Sequence, residues 1–152
     1  MMVQLNLWEM NLFLRVEKYI KYLFFEFGDK IIEFQSIEQY SKLRISIVDT
    51  ILHEPYFEDV IPGSMNISRI VFTNYLAINK VINICFFNLQ EEKTELICDA
   101  VHIKLLNGQH IFLDPQFIGI NVGGIEQKEF WLDNLLDGVA LKETYIEFND
   151  DK

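Results

Sequence analysis

One dipeptide restricts the local geometry of this chain more than any other feature. Asn107-Gly108 stands between two runs rich in β-branched and aromatic residues, 95–106 and 109–113. A type I′ turn needs positive φ at both central positions, and Asn-Gly supplies them, so the pair predicts a β-hairpin. With a two-residue loop, Leu106 opposes Gln109 and His102 opposes Leu113. Val101, Ile103, Leu105, His110, Phe112 and Asp114 then share one face. Cys98, Ala100, His102, Lys104, Ile111 and Leu113 share the other. Both faces carry apolar residues, which places this hairpin centrally in a sheet. Asp114-Pro115 is expected to end its second strand.

The rest of the chain divides by period. Leu12, Val16, Tyr19, Ile20, Leu23 and Phe27 fall on one stripe at helical spacing, which predicts a helix to about Tyr22. A strand pair around Gly28-Asp29 should follow. Ser36-Ile-Glu-Gln39 fits a capping box, and Tyr40, Leu43, Ile47, Val48 and Ile51 recur at helical spacing. A second helix over 37–53, stopped by Pro55, is the expectation. Residues 53–64 read as a loop with two of the three prolines. Residues 67–76, 80–89, 95–106 and 109–113 read as strands. A glycine-punctuated connection, 117–124, leads to a helix over 126–137 with Gly138 as its C-cap. Residues 144–148 predict a last strand, and 149–152 a fraying tail. The expected architecture is one α+β domain over 1–152: helices first, a mostly antiparallel sheet, and a helix near the C-terminus.

Composition excludes several classes. Half of the 152 residues are hydrophobic and 14% are aromatic, too many for a disordered chain. The net charge of −10 argues against nucleic acid or an anionic membrane as a direct partner. Cys85 and Cys98 lie inside apolar runs and read as reduced, buried thiols. No apolar run approaches the ~20 residues of a spanning helix. Residues 1–9 lack a basic n-region and a cleavage pattern, so a cytoplasmic protein is expected.

Few residues suggest chemistry. His53, His102 and His110 are the only histidines, and no Cys-x-x-Cys or His-Glu-x-x-His pattern exists, so no metal or cofactor is expected. Gly119, Gly123 and Gly124 lack the Lys-Ser/Thr of a phosphate loop. His102, a glycine turn and then Asp114-Pro115 is similar to the later part of transglutaminase-like and arylamine-acetyltransferase-like cysteine enzymes. The resemblance spans about 15 residues. It implies a Cys-His-Asp relay, with Cys85 or Cys98 as nucleophile, His102 as base and Asp114 orienting it. The two-residue loop, however, sets His102 and Asp114 on opposite faces.

Charge is concentrated towards the C-terminus. Residues 1–53 carry a net −1, residues 54–125 a net −4 and residues 126–152 a net −5. At ~100° per residue, Glu126, Glu129, Asp133 and Asp137 form one acidic stripe. Trp131, Leu132 and Leu135 fall opposite and should face the core, while Phe130 adjoins the stripe. Aromatic area for affinity beside carboxylates for steering suits a partner-binding surface. Tyr56, Phe57, Glu58 and Asp59 repeat that combination in the loop. Small, acidic, non-catalytic α+β chains look like bacterial toxin-immunity proteins as a class. That likeness implies a non-enzymatic protein that blocks the cationic cleft of a basic toxin such as a nuclease. A self-associating structural subunit is the third reading, since 13 Phe, 6 Tyr and 2 Trp could exceed what one core buries.

Overall fold

Period-2 burial, not helical spacing, marks residues 42–48. In Lys42–Val48, Leu43 and Ile45 are buried while Arg44 and Ser46 alternate with them. The computed structural model describes residues 5–11, 18–27, 29–39, 41–51, 60–76, 79–92, 94–116, 119–138 and 140–148, with 5–11, 18, 19, 21 and 60–66 described by backbone alone. Among these residues are twelve strands and two short helices.

A seven-stranded antiparallel sheet holds β1 (Leu5–Asn11), β2 (Lys18–Phe27), β3 (Lys30–Ile37), β4 (Lys42–Val48), β5 (Val60–Asn66), β7 (Gln90–Glu92) and β8 (Glu95–Cys98). Its order is β5-β1-β2-β3-β4-β8-β7. A five-stranded antiparallel sheet holds β6 (Val81–Phe87), β9 (Ala100–Leu105), β10 (His110–Gln116), β11 (Gly119–Gly123) and β12 (Glu143–Glu147), in the order β11-β10-β9-β6-β12. Helix α1 (Ser68–Val71) follows β5, and α2 (Ile125–Asp133) follows β11.

The expected α+β architecture with N-terminal helices is therefore corrected: the described chain is mostly antiparallel β, two sheets with two short helices. Residues 18–27 form β2, and the strand pair predicted beside it is real, with Phe27 opposite Lys30. Residues 12–17 lie outside the described set. The capping box at Ser36 is a β-turn entry instead. Ser36 is buried at the end of β3, and Glu38 and Gln39 turn the chain with φ of +49° and +55°. Ile47, which the helical reading placed on a buried face, is 68% exposed. Spacings of three, four and seven occurred here by chance in a sequence dense in apolar residues. Other boundaries move as well. Residues 60–66 are strand, 68–71 are helix, β10 runs through Asp114-Pro115, and 119–123 form a strand instead of a loop. Helix α2 stops at Asp133, so Gly138, with φ of +86°, sits in a later turn.

The main core lies between the two sheets. Leu23, Phe25, Phe34, Leu43 and Ile45 from one meet Phe86, Val101, Ile103, Ile111 and Leu113 from the other. The chain changes sheet at Asp99, between Cys98 opposite Leu43 and Ala100 opposite Phe87. Its carboxylate accepts from Lys42 and from Asn88 Nδ2. A second, smaller core lies on the outer face of the five-stranded sheet. There Cys85, Phe87, Ala100 and Phe112 are covered by Trp131 and Leu132 of α2 and by Leu141.

Candidate functional site

The hairpin that the Asn-Gly pair predicts is present, but its loop is longer by one residue. Leu105 N–H donates to the Gln109 carbonyl at 2.9 Å, and Gly108 N–H to the Leu105 carbonyl at 3.0 Å. Gly108 alone takes positive φ, +84°, and the Asn107 side chain accepts from Gln109 N–H at 2.9 Å. This is the three-residue loop with one left-handed glycine. His102 consequently opposes Phe112, not Leu113. A one-residue shift reverses every facing.

That shift gathers the polar residues the two-residue loop had separated. Cys85 opposes His102 and Tyr145, and His102 opposes Phe112, so all four point to the outer face. His110 and Asp114, two residues either side of Phe112, point there too. The His102 and His110 rings stack, with centroids 5.0 Å apart and planes 13° apart. His102 Nε2 lies 2.8 Å from His110 Nδ1, and Lys128 Nζ lies 3.5 Å from His102 Nδ1. The ammonium has protons only to give. His102 Nδ1 is therefore the acceptor, and Nε2–H donates to His110. Burial, then Lys128, His110 and Lys104, lower the His102 pKa to about 4, so the ring is neutral near pH 7.

The Cys-His-Asp set is on one face but is not wired as a relay. Asp114 is buried and accepts from Gln116, Asn121 and Gln127 at 3.4, 3.3 and 3.5 Å. Both His102 nitrogens are already engaged by Lys128 and His110. Burial raises the Asp114 pKa against the three amides. Burial also pushes the Cys85 thiol up, opposed by its hydrogen-bonding contact with Tyr145, while nearby Glu143 adds to the rise. Cys98 is in the inter-sheet core, and burial beside Asp99 raises it to about 12. A thiol held up and an imidazole held down are the reverse of a thiolate–imidazolium pair. Among the described residues no group of three His, Cys, Asp or Glu could hold a metal ion. A groove of about 630 Å³ between α1 and β11, lined partly by Ile70, Val71, His110, Ile120 and Val122, flanks the histidine pair.

Helix α2 places the acidic stripe on the surface. Trp131 packs on Phe87 and Phe112, with centroids 5.1 and 5.7 Å away, and this fixes which side faces out. Glu126, Glu129 and Asp133 are exposed, and Phe130 beside them is 62% exposed. Asp137 follows the helix in an exposed turn, next to Leu136, which is 80% exposed. Tyr56, Phe57, Glu58 and Asp59 lie outside the described residues. Sequence reasoning missed β12 as a surface. Glu143, Tyr145, Ile146 and Glu147 are exposed on this edge strand of the five-stranded sheet, and Phe148 just after it is exposed too. Its signal was the acid–aromatic–acid alternation Glu143-Thr-Tyr-Ile-Glu147.

Among the described residues no helix is long and apolar enough to cross a membrane. No family model, no curated protein and no solved structure matches the chain.

Proposed function

We propose that this chain is a non-enzymatic acidic binding protein that masks the cationic surface of a basic protein partner. It would act as an immunity protein does, covering the nucleic-acid-binding cleft of a toxin. One observation carries the reading. Phe130 is held out of the core, 62% exposed, among Glu126, Glu129 and Asp133, with Leu136 and Asp137 beyond the helix end. The helix had apolar partners for Trp131 and Leu132 beneath it and left this ring to solvent. A desolvated aromatic supplies affinity, and surrounding carboxylates supply steering and selectivity for a basic surface. The whole-chain charge of −10 acts in the same direction at longer range.

The test is association with a basic protein captured from the native cells and then purified. Wild-type binding should weaken steeply with salt. Glu129→Lys with Asp133→Lys and Asp137→Lys should abolish it while the thermal unfolding transition stays in place. Unchanged binding by that triple variant would overturn the reading.

A further inference from the structure

Among the described residues, strand β12 is the last strand of its sheet and pairs only with β6. Its ladder phase is set by two bonds. Asn88 N–H donates to the Lys142 carbonyl at 2.7 Å, and Phe148 N–H donates to the Ile82 carbonyl at 3.0 Å. Antiparallel ladders alternate, so Thr144 and Ile146 also turn their backbone groups towards β6. The N–H and C=O groups of Glu143, Tyr145 and Glu147 therefore point away from the sheet. Their side chains share one face, because Tyr145 opposes Cys85 and the others lie two residues either side. An edge of this kind is a template for an added strand.

Two features select the occupant. In the self-pairing register that engages all three outward residues, Tyr145 meets its own copy and Glu143 meets Glu147 twice. Four carboxylates would then sit opposite one another on one face, which opposes pairing. The same two carboxylates favour a strand with cations at those positions. We infer that the free edge of β12 takes up an extended, basic segment of the partner as an antiparallel strand. The fitting segment has Lys or Arg opposite Glu143 and Glu147, four residues apart, and an apolar residue opposite Tyr145. This rests on the proposal of a basic partner and names how part of it is held.

The probe is a seven-residue fluorescent peptide with lysines at its second and sixth positions, tyrosine at the fourth and valines between. Binding is read by anisotropy, and strand addition by hydrogen exchange of the amides. Wild-type protein should bind it in a salt-sensitive way and gain protection at the Glu143, Tyr145 and Glu147 amides. Glu143→Lys with Glu147→Lys should weaken binding about tenfold or more. Tyr145→Pro removes one outward donor without touching the β6 ladder and should abolish the protection. Glu143→Pro, which does the same while keeping Tyr145, serves if the first variant is unfolded. Binding without amide protection, or indifference to both proline variants, would overturn the inference. So would protection of these amides in the protein alone at high concentration, which would make the occupant a second copy. The α2 triple variant should bind the peptide normally, so failure at β12 and failure at α2 are read separately.

Discussion

His102 and His110 stack across β9 and β10 with 2.8 Å between Nε2 and Nδ1, and they do so because one loop has three residues instead of two. In this arrangement His102 Nε2–H donates to His110 and His102 Nδ1 faces Lys128 as an acceptor. A proton added to His102 Nδ1 would remove the acceptor that faces Lys128 and set two cations 3.5 Å apart beneath α2.

Acid should therefore destabilise the fold in a defined window. The folded pKa of His102, about 4, lies below the ordinary value of 6.5. Between those values the unfolded chain binds more protons, so stability rises with pH and falls on acidification. The full shift corresponds to about 3 kcal/mol. Asp114 acts oppositely, since burial raises its pKa above the ordinary 3.8 and so favours the folded state as pH falls towards that value. Urea unfolding at pH 7, 6 and 5 should show stability falling, and His102→Gln should flatten the slope. Equal slopes in both proteins would show that the imidazole is not the group responsible.

Neither thiol should behave as a nucleophile. Burial raises both, Cys98 to about 12, and the imidazole opposite Cys85 is held neutral. Iodoacetamide near neutral pH should label the native protein more slowly than a free thiol, and both cysteines should become reactive only on unfolding. Fast labelling of Cys85, lost in His102→Gln, would restore the cysteine-enzyme reading.

The sequence made some of this legible and hid the rest for identifiable reasons. The hairpin at 106–108, the central position of β9 and β10, the turn after Phe27, the last strand and the buried face of α2 each follow from a local signal that packing does not override. The faces of β9 and β10 do not. Asn-Gly serves a two-residue loop and also a three-residue loop with glycine left-handed, and the choice inverts every side chain. That ambiguity separated His102 from His110 and Asp114. The helix expected over 37–53 failed differently. Leu43 and Ile45 needed a facing sheet, formed by β6, β9 and β10 far later in the chain, before period two could be recognised as the buried pattern. The open edge of β12 is invisible without strand order, because an edge is a property of what pairs with it.

Two glycines should respond to alanine for different reasons. At Gly108 a Cβ would meet nothing within 4 Å, so only the φ of +84° is strained, and Gly108→Ala should cost about 1 kcal/mol. At Gly119 a Cβ would overlap the Ile20 carbonyl oxygen, where β11 passes β2, and φ is +128°. Gly119→Ala should cost several times more, on the order of 3 kcal/mol or above, since backbone must move. Denaturant midpoints of the two variants decide it. Equal losses would mean that β11 does not approach β2 this closely in solution.

Adjacent aromatics on α2 should separate stability from binding. Trp131 fills the space above Phe87 and Phe112, and cutting it back opens a cavity over the outer core. Being only partly buried, Trp131→Ala should cost about 2–3 kcal/mol, below the range for a fully buried Trp. Phe130, one residue earlier, points to solvent, and Phe130→Ala should change stability by less than about 0.5 kcal/mol. If Phe130 is the anchor of a partner surface, the same substitution should weaken partner binding by about 2 kcal/mol, roughly thirtyfold. Unfolding and titration measured on the two variants form a cross: one loses stability, the other affinity. A Phe130→Ala protein that keeps full affinity for the basic partner would leave the exposed ring without a role and remove the observation on which the binding surface rests.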